Sequence, residues 1–170
     1  MTSDRDLAKR PVSILAGPYG HPTHPILVPI PIGAWAASLL FDIAAQSSDD
    51  AESLAKSSRG LIAIGTGGAL LAAVPGFLDY LAIPKGTKAK TVALTHMVLN
   101  LTTSATYMVN LRWRRSLATK GGRGVDTGPM KLSAISLAAL GVSGYLGGKL
   151  AYGYGVRVAD EDAQAKGFGG

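Results

Sequence analysis

Apolar positions along the chain gather into four runs, at about residues 26–46, 61–83, 91–111 and 132–152, separated by stretches rich in Ser, Gly, Lys, Arg and Asp. Each run supplies roughly 20 residues, and at about 1.5 Å rise per helical residue that spans about 30 Å, the thickness of a bilayer's hydrocarbon core. Only Asp42, Asp79 and Lys149 bring charge into the runs. The helices of a water-soluble bundle would instead carry charge along one whole side of such windows. The pattern predicts an all-α protein: a four-helix transmembrane bundle, up-down-up-down, with both termini on one side and the 47–60 and 113–131 connections on the other.

Inside the runs the polar and small positions are themselves ordered. The first helix starts after His24-Pro25, and Pro29 and Pro31 then remove backbone donors and should distort its first half. In the second, Gly65, Gly68, Ala69, Ala72 and Gly76 form a small-residue stripe ending at Asp79, and the fourth repeats the device with Gly144 and Gly148. Such stripes let helices approach closely where lipid supplies no hydrophobic drive, so they are read as packing surfaces. The third run carries His96, Asn100, Thr103, Tyr107, Asn110 and Arg114 at spacings of four, three, four, three and four, which is one helical face. That face cannot meet lipid cheaply and should point into the bundle. The first helix offers a matching stripe of His24, Pro31, Trp35, Ser38 and Asp42.

Composition narrows the picture. Of 170 residues, 47% are apolar and only 16% charged, and the 22 glycines suit membrane helices. Four spans leave short loops and tails, so the division is a polar, turn-rich lead-in over residues 1–24, one membrane domain over 25–156, and an acidic, Gly-rich tail over 157–170. The net charge of +6 sits in loops and tails rather than along a helix face with aromatics interleaved, which argues against nucleic acid. Basic residues divide almost evenly between the two faces and leave orientation open. The absence of cysteine excludes disulfides, thiolate metal sites and cysteine-ligated iron–sulfur clusters. No apolar core of a signal peptide precedes the first run, so the N-terminus is expected to be retained. Hydrolytic and phosphate-loop motifs are missing, and no catalytic activity of its own is expected.

Two polar layers follow from the helix directions. On the terminal side His24, Asp79 and His96 lie at similar depth, with His21 just outside; on the other side Asp42 lies near Arg112, Arg114 and Arg115. A carboxylate at membrane depth is tolerable only when paired, so a structural ion pair of Asp42 with Arg114 is expected. The terminal-side layer admits three readings. One is a hydrogen-bonded cluster in which Asp79 accepts from the imidazoles and fixes packing. A second is axial ligation of one b-type haem by His24 and His96 from the first and third helices. The third is a metal site formed by His21, His24, Asp79 and His96, a nitrogen and oxygen set suited to zinc, copper or iron. Asp42, Asp79, Asn100 and His96 could also relay protons.

Several motifs together resemble a known family. His24-Pro25-Ile26-Leu27 through Pro29-Ile30-Pro31-Ile32-Gly33 to Phe41-Asp42, then Gly76-Phe77-Leu78-Asp79-Tyr80, then His96 with Asn100-Leu101, and Gly147-Gly148-Lys149-Leu150-Ala151-Tyr152 before Gly155-Val156, are similar to the bacterial membrane-protein family of domain of unknown function 2231 (DUF2231). The resemblance covers roughly residues 20 to 156. It implies a four-helix membrane domain, laid out like small membrane cytochromes, whose relatives sometimes occur joined to a Rieske-type iron–sulfur domain. Its recurring His-Pro, Asp and His positions correspond to His24, Asp42, Asp79 and His96. The resulting expectation is a small, multi-pass subunit or anchor of an electron-transfer assembly in the bacterial inner membrane. It would lie in the lipid bilayer beside other membrane or redox subunits; the alternative is a structural accessory subunit without cofactor.

Overall fold

The structure, a computed structural model, describes residues 13–18, 21–121 and 126–158. Most of the expected lead-in and nearly all of the acidic tail lie outside the described residues. Four long helices make up the described chain, and no strand occurs among these residues. Helix α1 runs over Thr23–Ala45, α2 over Ala51–Ala82, α3 over Lys88–Thr119 and α4 over Thr127–Gly148, which a π-helical turn at Lys149–Gly153 continues.

Each boundary has a local cause. Pro29 and Pro31 lack the amide protons that would bond one turn back, and α1 accordingly divides at Val28 into Thr23–Leu27 and Pro29–Ala45. At the start of α3, Thr87 Oγ1 accepts from the Lys90 amide at 3.1 Å, an N-cap that follows a turn at Gly86 with φ +77°. Gly121, with φ +78°, stands just beyond the last turn of the same helix.

Two helices outrun the apolar windows. The stretch 47–60, expected as a connection, is helical from Ala51 on, because Ala55 and Ser58 continue inward the face that Ile62 occupies one turn later. Glu52 in its first turn suits the positive end of the helix dipole. The expected 113–131 connection likewise contains the last turns of α3 and the first of α4.

The segments 23–45, 51–82 and 127–153 are long and apolar enough to cross a membrane. By that measure three helices qualify, and α3 does not reach the same hydropathy. Its pattern explains why. Thr103, Tyr107, Asn110 and Arg114 are buried, whereas Leu94, Val98, Leu101 and Val109 are exposed. The helix turns its polar stripe inward and its apolar side outward, so its average conceals its outer surface. The same inversion holds elsewhere: Ser38, Asp42, Ser58, Ser133 and Ser143 are buried while Ile64, Leu71, Val74, Ile135 and Val142 are exposed. Apolar surface of this extent around a polar interior belongs in lipid.

Packing forms two compact units. One holds the described residues up to Leu27, Leu71–Leu99 and those from Val142 on; the other holds Val28–Leu70 and Asn100–Gly141. The first has its apolar centre at Ile83, Ala93 and Leu150. The second is centred on Trp35, Ile62, Tyr107 and Leu140, with the Trp35 and Tyr107 rings stacked at 4.2 Å and 5°. Small residues permit the close approach. A Cβ on Gly65 would stand 2.6 Å from the Trp35 indole, and one on Gly68 2.7 Å from Ile30. The fourth-helix motif behaves differently from the expectation: among the described residues a Cβ on Gly144 or Gly148 would meet nothing within 4 Å, so neither glycine packs against another described helix.

Candidate functional site

In the unit that contains His24 and His96, the chain brings the imidazoles of α1 and α3 together. His24 and His96 have ring centroids 6.3 Å apart with planes at 85°. Both rings are held through Nδ1. That of His24 lies 2.8 Å from the Ala72 carbonyl oxygen of α2, and that of His96 lies 2.8 Å from the Ser143 carbonyl oxygen of α4. A carbonyl only accepts, so Nδ1 carries a proton in each ring. Ser143 reinforces the arrangement, its Oγ lying 3.0 Å from His96 Nδ1 and donating to the His96 carbonyl at 3.3 Å.

Glycines on the neighbouring helices shape the two ring positions. A Cβ on Gly76 would come within 2.8 Å of His24 Nδ1, and one on Gly147 within 3.1 Å of His96 Cε1. The end of the α2 small-residue stripe is therefore the bed of one imidazole. In α4 the glycine that matters is Gly147, one position away from the GxxxG register.

Asp79 does not join the imidazoles. It accepts from Arg157 Nε at 3.0 Å, while Arg157 Nη2 donates to the Gly17 carbonyl at 2.6 Å. Arg157 is 2% exposed and holds φ +63°, a left-handed conformation costing a non-glycine residue about 1–2 kcal/mol. Its charge-assisted hydrogen bonds offset that cost. The cluster in which Asp79 accepts from histidine is thus corrected: a guanidinium satisfies the carboxylate better than a neutral imidazole, and the rings find backbone carbonyls. The four-residue metal set of His21, His24, Asp79 and His96 is also not assembled. His21 is exposed, and among the described residues no three His, Asp or Glu groups converge to hold a metal ion.

The other unit contains a buried charge network. Arg114 donates from Nη1 to Asp42 Oδ1 at 2.7 Å and from Nη2 to Oδ2 at 2.6 Å, a bidentate pair with both side chains at most 2% exposed. Its Nε donates to Asn110 Oδ1 at 2.7 Å, and Asn110 Nδ2 in turn donates to Pro129 O and Ser133 Oγ, each at 2.9 Å. Ser58 Oγ donates to the Ser38 carbonyl at 3.0 Å. Helices α1 to α4 all contribute, and the two charges bury no unmet valence. Trp35 Nε1 is the one fully buried side-chain polar atom among the described residues that lacks a partner.

Sequence reasoning missed Arg157, Ser143 and Gly147. Arg157 reads as a loop cation, and nothing in its neighbours marks it as buried. Ser143 was legible: Pro129, Ser133, Ser136, Leu140 and Ser143 recur at spacings of four, three, four and three and are all buried.

No curated protein and no solved structure matches the chain. Residues 20–160 match the family DUF2231, described as a predicted membrane protein. That span takes in all four helices and both polar constellations, and with most of its length matched the chain belongs to the DUF2231 family of membrane proteins.

Proposed function

We propose that the chain is a small multi-pass subunit or anchor of an electron-transfer assembly in the bacterial cytoplasmic membrane, binding one b-type haem between α1 and α3 through His24 and His96. The observation that carries this reading is the pair of imidazoles from α1 and α3 with ring centroids 6.3 Å apart, each with Nδ1 bonded to a backbone carbonyl. Two histidine imidazoles from different helices are a donor set that would suit one haem iron, with His24 and His96 as the residues that would hold it. The donor set suits that group. Fixing Nδ1–H on a carbonyl is also how proteins orient a ligating histidine and raise its basicity. When bound, a haem of this kind would accept and release one electron. The chain's own part is to hold two imidazoles at fixed separation, with Gly76 and Gly147 leaving the rings room and Ala72 and Ser143 setting their rotation.

The proposed membrane domain spans residues 25–156, and its four helices cross in alternating directions with both termini on one side. Residue pairing in the Trp35-centred unit supports that topology. Contacts of α1 with α2 run in opposite order, as Ser38 with Ser58, Trp35 with Gly65 and Ile30 with Gly68. Those of α1 with α3 run in the same order, as Trp35 with Tyr107 and Asp42 with Arg114. Those of α3 with α4 run in opposite order, as Tyr107 with Ser133 and Asn110 with Pro129.

An absorbance spectrum of the protein purified from haem-replete cells tests the reading. The expected result is a Soret band with reducible b-type peaks, lost in His24→Ala and in His96→Ala and kept in Asp79→Asn. Colourless protein that stays assembled would overturn it and leave a structural accessory subunit. That second reading draws on the Asp42–Arg114 network, which ties four helices together without any cofactor.

A further inference from the structure

We propose that the outer face of α3 around Arg112 and Arg115 is a binding site for an anionic phospholipid, taking the phosphodiester on the two guanidinium groups and an acyl chain in the groove beside them. Ala105, Met108, Arg112 and Arg115 follow at spacings of three, four and three, so they form one stripe along the helix, apolar first and cationic after. With Val109 and Leu111 these residues line an open groove of about 430 Å³. Met108 and Val109 are 42% and 59% exposed, on the side of α3 that turns away from its buried polar stripe.

The charges complete the match. Arg114, between the two, is buried against Asp42, whereas Arg112 and Arg115 are exposed and no carboxylate among the described residues pairs with either. Two like charges one turn apart repel each other and call for an anion, and a guanidinium offers a fork that fits phosphate oxygens. Their level along the helix is that of an interface. Trp113 is 43% exposed with its ring edge against Gly128, where a Cβ would stand 2.7 Å from Cη2, and tryptophan collects at the headgroup level of a bilayer. Long arginine stems keep their charged ends at that level while lying along apolar surface. A zwitterionic lipid would bring its own cation against the pair, so the site selects net negative headgroups. The inference rests on membership of a membrane-protein family and is independent of haem.

The full chain purified in detergent, presented with equal amounts of phosphatidylglycerol and phosphatidylcholine and examined by native mass spectrometry, tests it. The wild type should retain phosphatidylglycerol about tenfold more than phosphatidylcholine, the two arginines each supplying a basic contact. Arg112→Gln with Arg115→Gln should abolish that preference. Ala105→Trp, which fills the groove and keeps both charges, should lower phosphatidylglycerol retention by a similar factor. Equal retention of the two lipids by the wild type, or a preference that survives either variant, would overturn the site. So would full displacement by millimolar inorganic phosphate, which shows capture of an ion by charge alone. If the double glutamine variant does not elute as the wild-type species, Ala105→Trp decides.

Discussion

Arg114 donates two hydrogen bonds to Asp42 at full burial, and each side chain supplies the other's counter-charge there. Asp42→Asn leaves a buried guanidinium without its counter-charge and should lower stability by about 3–5 kcal/mol, read as loss of helical circular dichroism during denaturant titration in detergent. Replacing both with well-packed apolar residues should recover most of that loss, since the desolvation of two charges disappears with them. Glycines make a second residue-scale test. Gly65→Ala drives a methyl to 2.6 Å from the Trp35 indole and should cost about 1–3 kcal/mol. Gly144→Ala meets open space and should be neutral or stabilising by up to about 1 kcal/mol, through helix propensity alone. These two glycines look alike in the sequence, each on a small-residue stripe. What separates them is whether another helix faces the stripe, and that is decided by residues far along the chain.

At the scale of elements, α1 is shaped by two missing donors. Pro29→Ala with Pro31→Ala restores both and should carry one unbroken helix through Val28, turning Thr23–Leu27 and His24 off the α2 backbone. Spin labels at the exposed positions Ile26 and Val74 should then report a longer distance than in the parent protein. The proline break was legible in advance because it follows from covalent structure. Helix α3 shows the opposite case. Its stripe from His96 to Arg114 was legible from spacing, and four of those six residues are buried, but hydropathy averaged over a window cancels an apolar outer side against a polar inner one. The helical extension before residue 61 lies outside any apolar run and became visible only through the inward register of Ala55 and Ser58.

Exposed apolar residues beside buried polar stripes in each of the two units predict that the protein stays with the membrane pellet after alkaline carbonate extraction. The lack of native cysteine makes the proposed topology directly testable. Single cysteines at Ser13, Thr87 and Val158 should be labelled by an impermeant maleimide from one side, and cysteines at Ser47 and Lys120 from the other. A residue of the first group labelled together with the second would overturn alternating crossings.

The sequence by itself determined the helices, the membrane environment and which faces carry polar groups, because these follow from period, length and the cost of leaving a backbone or side-chain dipole in hydrocarbon. Only the tertiary structure decided partners. That Asp79 meets Arg157, that each imidazole meets a backbone carbonyl, and that Gly147 rather than Gly144 lies against His96 depend on helix rotation and on a turn beyond the last helix. A stripe says which way a side chain points; which acceptor stands opposite is settled by fractions of a helical turn that no local pattern records.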